Sequence, residues 1–295
     1  MKSMKRGRFF LFIFAVSIFI SAEESFANST ANSTATSSSV SCKDGSGKDL
    51  DGRIAVISIF ADDDKTSWGK DRVNSYATKT IRYMDIATDW ILRKVRPYGA
   101  EPEFIYNFFK NGGLYYKTKL DCDLTDWKTH DFYVWKYIRE KIDLDWIKKT
   151  YRTDNFFFMV YVNTPMSNTI APATRSFYKG MPYPYEIVYI NRYRDAKETS
   201  PSVYAHEILH IFGARDLYYA DSRNGFSKQF VDYCKLMHRN DIMYTISDII
   251  HGGVRMDRIT NDFSQLDAYY IGLINYCSEV EKFNLGKSEH LKHLE

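Results

Sequence analysis

Two rhythms of apolar residues run through this chain. Arg53 to Ala61 carries branched and alternating apolar side chains, the mark of a buried strand. Val73, Ala77, Ile81, Met84, Ile91 and Val95 then recur at helical spacing, and Gly99 closes that segment. Glu103 to Phe108 reads as a second strand. Phe156 to Val162 reads as a third, nearly all apolar and therefore central in its sheet. Asp131 to Lys149, between them, has a helical pattern. Glu186 to Asn191 is the last strand of the series, and Ser200 with Pro201 offers an N-cap and first position for a helix running to about Phe212. Thr174 to Tyr178 reads as an edge strand, with an ordinary loop as its rival because Gly180, Pro182 and Pro184 follow. Asp262 to Ile274 gives a final helix. Strands alternating with helices in this order predict a mixed α/β domain with a mostly parallel sheet.

The amino-terminal end changes the picture. Lys2, Lys5, Arg6 and Arg8 precede an apolar run from Phe9 to Ile20, and small residues follow, which is the pattern of a secretory signal peptide. That run falls short of the roughly 20 residues a membrane span needs. Cleavage is expected after Ala27, and residues 28–50 read as a disordered Ser/Thr-rich leader with sequons at Asn28 and Asn32. The catalytic domain is then expected over 51–280, with an upper part 51–213 and a lower part 214–280, and a tail over 281–295. Export favours disulfides among the four cysteines; the expected pairs are Cys234 with Cys277 and Cys42 with Cys122. Cys42 as a metal-capping residue in a silent precursor is the competing use.

Charge removes one class of partner. The chain carries +3, and loss of the signal region leaves the mature form close to neutral, without the basic footprint of a nucleic-acid binder.

The chemistry concentrates in His206-Glu207-Ile208-Leu209-His210. Two histidines four residues apart project from one face of a helix and can hold one zinc ion through imidazole nitrogens. Glu207 lies beside them, placed to take a proton from a water on the metal and return it to a departing amine. A third ligand is required, with the fourth position open. Gly213, able to adopt a left-handed conformation, would turn the chain back toward the metal, and Asp216 would supply a carboxylate oxygen. His238, His251 and Glu279 are the other possible third ligands. Glu279 is the next glutamate after Glu207, as a thermolysin-like arrangement would demand. A pair of surface histidines on an ordinary amphipathic helix is the reading without chemistry.

His206, Glu207, His210, Gly213 and Asp216, followed by Asp241-Ile242-Met243-Tyr244, resemble the metzincin clan of zinc endopeptidases, in its snapalysin-like variant with aspartate in place of the third histidine. The resemblance is close from the motif helix to the methionine turn and elsewhere extends only to the order of elements. It implies a twisted, mostly parallel sheet, a zinc helix ending at the floor of a cleft, and a smaller carboxyl-terminal subdomain with Met243 beneath the metal. It also implies that Tyr244 supports the site and that an extended substrate adds to the edge strand. Tyr218, Tyr219 and Tyr244 are the candidates for a hydroxyl on the oxyanion. The expected protein is a secreted, monomeric zinc endopeptidase acting on protein or peptide substrates and not inserted in a membrane once its signal is removed. Its rivals are a zinc-containing binding protein without turnover and a hydrolase of non-peptide amides.

Overall fold

A computed structural model describes residues 45–107, 112–126, 129–176, 183–220 and 225–291, leaving aside the side chains of 70–74. In chain order the first half contains β1 (Arg53–Asp62), α1 (Gly69–Val95), β2 (Glu103–Ile105), β3 (Tyr115–Lys119), α2 (His130–Lys141), α3 (Leu144–Tyr151) and β4 (Phe156–Val162). The second half contains β5 (Ala173–Arg175), β6 (Ile187–Asn191), a short hairpin of β7 (Tyr193–Arg194) and β8 (Lys197–Glu198), α4 (Pro201–Ile211), α5 (Lys228–Met237), α6 (Gln265–Tyr270) and α7 (Ser278–Lys282). The expected signal segment, Ala27, both sequons, Cys42, Phe108, Tyr178, Gly180 and Pro182 lie outside the described residues.

The main sheet runs β2-β1-β4-β6-β5. Its pairings are parallel except at the edge, where β5 meets β6 antiparallel with Thr174 opposite Val188. β3, not foreseen from the sequence, pairs with the second half of β1 beyond the end of β2. β4 is buried along its whole length, as its apolar composition requires.

Period-two alternation divides the core between the two faces of the sheet. Phe157, Met159 and Tyr161 of β4, with Val56 and Phe60 of β1, pack with Met84, Ile91, Tyr204 and Ile208 of α1 and α4. Phe158 and Val160, with Ile57 and Ile59, pack instead with Val134, Ile138 and Ile147 of α2 and α3. The result is an α/β sandwich with the sheet covered on both faces, the usual setting of a parallel sheet. Among the described residues, no helix is long and apolar enough to cross a membrane.

Several boundaries differ from expectation for identifiable reasons. The helical stretch 131–149 is two helices, because Asp143 accepts the Trp146 amide and starts a new one. The helix expected over Asp262 to Ile274 shrinks to Gln265–Tyr270. A capping box between Ser264 and Asp267 starts it, and Gly272 at φ +84 follows it. Ser200 holds the N-cap position of α4, yet its side chain makes no capping bond.

Order extends beyond both ends of residues 51–280. Ser46 is buried, and the buried Glu186 carboxylate accepts bonds from Ser46 N, Ser46 Oγ and Gly47 N at 2.6, 2.6 and 2.8 Å. Residues 45–50 therefore belong to the folded body and not to a leader. At the other end Leu285 and Ser288 are buried, and Ser288 Oγ donates to Tyr270 O. Cys122, Cys234 and Cys277 are free thiols. The expected Cys234–Cys277 bridge is absent, and the Cys277 thiol donates to Glu279 Oε2 at 3.0 Å instead.

Candidate metal centre

α4 is buried almost all round, and His206, Glu207 and His210, with Val203 a turn earlier, are where it meets a cleft. The helix ends where Gly213 adopts φ +104. A Cβ there would stand 2.8 Å from the Tyr270 carbonyl oxygen, so the turn requires glycine both for its dihedral and for room. Ala214 N bonds Leu209 O, and three residues past the glycine Asp216 faces the two histidines.

His206 Nε2 and His210 Nε2 lie 3.1 Å apart. Asp216 Oδ1 is 3.2 Å from the first and 3.3 Å from the second. The opposite nitrogen of each ring meets a main-chain carbonyl, His206 Nδ1 with Ile242 O at 2.9 Å and His210 Nδ1 with Ala214 O at 2.8 Å. With both Nδ1 atoms donating, each Nε2 presents a lone pair, as outer-shell carbonyls commonly arrange for histidine ligands. Three lone-pair atoms therefore converge, and Asp216 Oδ1 is buried without a hydrogen-bond donor. A tetrahedral ion bound at about 2.0–2.1 Å spaces its ligand atoms by about 3.3 Å, which matches all three separations. The group could hold a metal ion, and it is the one cluster of three such side chains among the described residues.

The electrostatics point the same way. Burial disfavours charge on His206, but Asp216, Glu207 and the Ile242 carbonyl outweigh it and push its pKa up to about 9. Burial likewise opposes the Asp216 charge, and the two imidazoles outweigh it, holding that carboxyl far below the ordinary range. The cluster is a place for positive charge, either a proton or a cation.

The turn around Met243 supports the site through its backbone. Asp241 Oδ1 accepts the Met243 amide and Asp241 O accepts those of Tyr244 and Thr245, so the chain folds tightly enough to present Ile242 O to His206. Met243 O in turn accepts Leu217 N, joining this turn to the residue after Asp216. The Met243 side chain is fully buried and is not among the three clustered ligands. His238, His251 and Glu279 are occupied elsewhere: His238 meets Glu279 at 3.3 Å, and His251 meets Asp248 at 3.1 Å.

Two hollows of about 470 and 360 Å³ meet at Pro172, His206, Glu207 and Tyr218. Tyr244 lines the larger one, together with Thr199, Ser200, Val203 and Ile246. Tyr218 borders both, whereas Tyr219 borders neither. A third hollow of about 690 Å³, near Tyr76, Asn163 and Arg192, shares none of the cluster residues.

Two hydroxyls at the site escaped sequence reasoning. Thr174 Oγ1 lies 2.7 Å from Glu207 Oε2 and 2.8 Å from Glu207 O, and Ser176 Oγ donates to His210 O at 3.1 Å. Their spacing in an edge strand was the available signal, since residues two apart share a face. No model of a known protein family matches this sequence, and no curated protein matches it.

Proposed function

We propose that this chain is a secreted zinc-dependent endopeptidase of metzincin type, with zinc held by His206, His210 and Asp216. The observation that carries the reading is the Glu207 carboxylate standing in an open cleft beside three convergent nitrogen and oxygen ligands. Imidazole and carboxylate suit zinc, and a purely structural zinc site fills its fourth position with protein, whereas here a cleft adjoins the cluster. Zinc so bound would polarise the scissile carbonyl and acidify a water.

The chain's own residues supply the rest. Glu207 takes the proton of the attacking water, holds it on a carboxylate oxygen and delivers it to the departing nitrogen. Tyr218, bordering both hollows, is the hydroxyl best placed among the three tyrosines to donate to the oxyanion. β5 offers its free edge to an extended substrate backbone. Gly213 and the Met243–Tyr244 turn hold the ligands in place, and the apolar amino-terminal run directs the chain to secretion.

The test is cleavage of an unstructured protein mixture by the purified mature chain, with fragment ends identified by mass spectrometry and Glu207→Ala run alongside. Cleavage by the wild type, reduced about 10²–10⁴-fold in a variant that retains zinc, is expected. A folded, zinc-loaded wild type that cuts nothing overturns the reading.

A further inference from the structure

The general base is gripped from outside its own helix. Thr174 Oγ1 stands within hydrogen-bond distance of two acceptors on Glu207, the main-chain oxygen at 2.8 Å and Oε2 at 2.7 Å. A hydroxyl has one hydrogen to give. The main-chain oxygen belongs to the helical ladder of α4, while the carboxylate is ionic and a stronger acceptor. Glu207 Oε1 has no hydrogen-bond partner among the described residues, and the side chain borders the cleft on both sides.

The hydroxyl sits on a strand held from two directions. Ser176, two residues on, donates to His210 O, so successive same-face hydroxyls of this segment bond α4 within one helical turn. Arg175, on the opposite face, donates to Asp131 Oδ2 at 2.8 Å. His130, beside Asp131, packs on the Tyr189 ring of the adjacent β6 with centroids 4.3 Å apart, so α2 meets β5 and its partner strand from the far side of the sheet.

Resting on the peptidase reading, we propose that Thr174 is a positioning residue for Glu207: its hydroxyl holds Oε2, fixes the plane of the carboxylate, and leaves Oε1 as the oxygen that exchanges the proton. Proton transfer is steeply sensitive to the placement of the base. A free carboxylate would rotate and share both oxygens with solvent. The same strand is the one a substrate backbone would extend, so seating the substrate and holding the base are tasks of one element.

The experiment compares kcat and KM for a fluorogenic peptide among the wild type, Thr174→Val, Thr174→Ala and Thr174→Ser, with zinc content and melting temperature measured on each. Loss of a hydrogen bond to a charged group predicts a fall of about tenfold or more in kcat for Val and Ala. KM and zinc content should stay unchanged, and Ser should recover activity to near the wild type. Wild-type kcat in both hydroxyl-free variants overturns the assignment, as does a Ser variant no better than Ala. A wild type that binds zinc without any turnover overturns the peptidase reading and this role with it. A wild type that cleaves while Val and Ala match it overturns this role alone.

Discussion

At the scale of single residues, the cluster is defined by what each side chain does with its second polar atom. His206 and His210 commit Nδ1 to carbonyl oxygens, which frees Nε2 for a cation, and Asp216 completes the triangle. Asp216→Ala should therefore weaken zinc retention by more than the about 10–100-fold that loss of an outer-shell partner costs, measured by competition with a chromophoric chelator. Unchanged affinity would remove Asp216 from the ligand set. A carboxyl pair, Asp241 and Asp267, lies beneath the Met243 turn. Both are buried, and burial together with their mutual repulsion raises the Asp267 pKa far above the ordinary range. A proton shared by the pair gives Asp241 Oδ2, otherwise without a donor, something to accept. A raised folded-state pKa means stability that is complete below the unfolded-state value and lost as pH rises toward the folded one. Asp267→Asn, which keeps a neutral donor, should thus flatten the decline of melting temperature with rising pH; a decline as steep as the wild type's would show that the pair holds no proton.

Among elements, what sequence reasoning could see was local. The four-residue spacing of His206 and His210, the glycine that reverses the chain and the alternation within β1 and β4 are all encoded within a few residues. Asp216 follows from Gly213 by the same logic. Thr174 could be placed on an edge strand, but its bond to Glu207 was not legible, since the two lie 33 positions apart and meet only through the way β5 docks on α4. β3 was missed because it pairs with only the second half of β1, and Cys234–Cys277 was misassigned because belonging to the same segment does not aim two sulfurs at each other. The segment containing α2, between β3 and β4, has a structural task as the brace behind β5. Burial opposes the Asp131 charge, but His130 and Arg175 outweigh it and keep this carboxyl below its ordinary range. Asp131→Ala should lower stability by about 1–3 kcal/mol in denaturant titrations and leave zinc content intact. A variant as stable as the wild type would show that the brace carries no weight.

For the whole molecule, the cores on the two faces of the sheet are closed without covalent staples among the described residues. Burial pushes the thiols of Cys234 and Cys277 up to about 12 and about 11. Both should resist alkylation at neutral pH until the protein unfolds, since the thiolate is the reactive form; rapid labelling of the native protein would contradict their burial. The first and last described segments also meet. His290 Nε2 lies 2.9 Å from Phe212 O, its ring fills the space beside Gly213 and Gly272, and its other nitrogen is 3.7 Å from Asp49. The turn that carries Asp216 thus rests on residues near the first and last of those described. Timing follows from this. A polypeptide made amino-terminus first can form its sheet early, but the backing of the Asp216 turn has to wait for residue 290, so the His206, His210 and Asp216 cluster is among the last features to mature and most of the chain is made before that cluster has its full support.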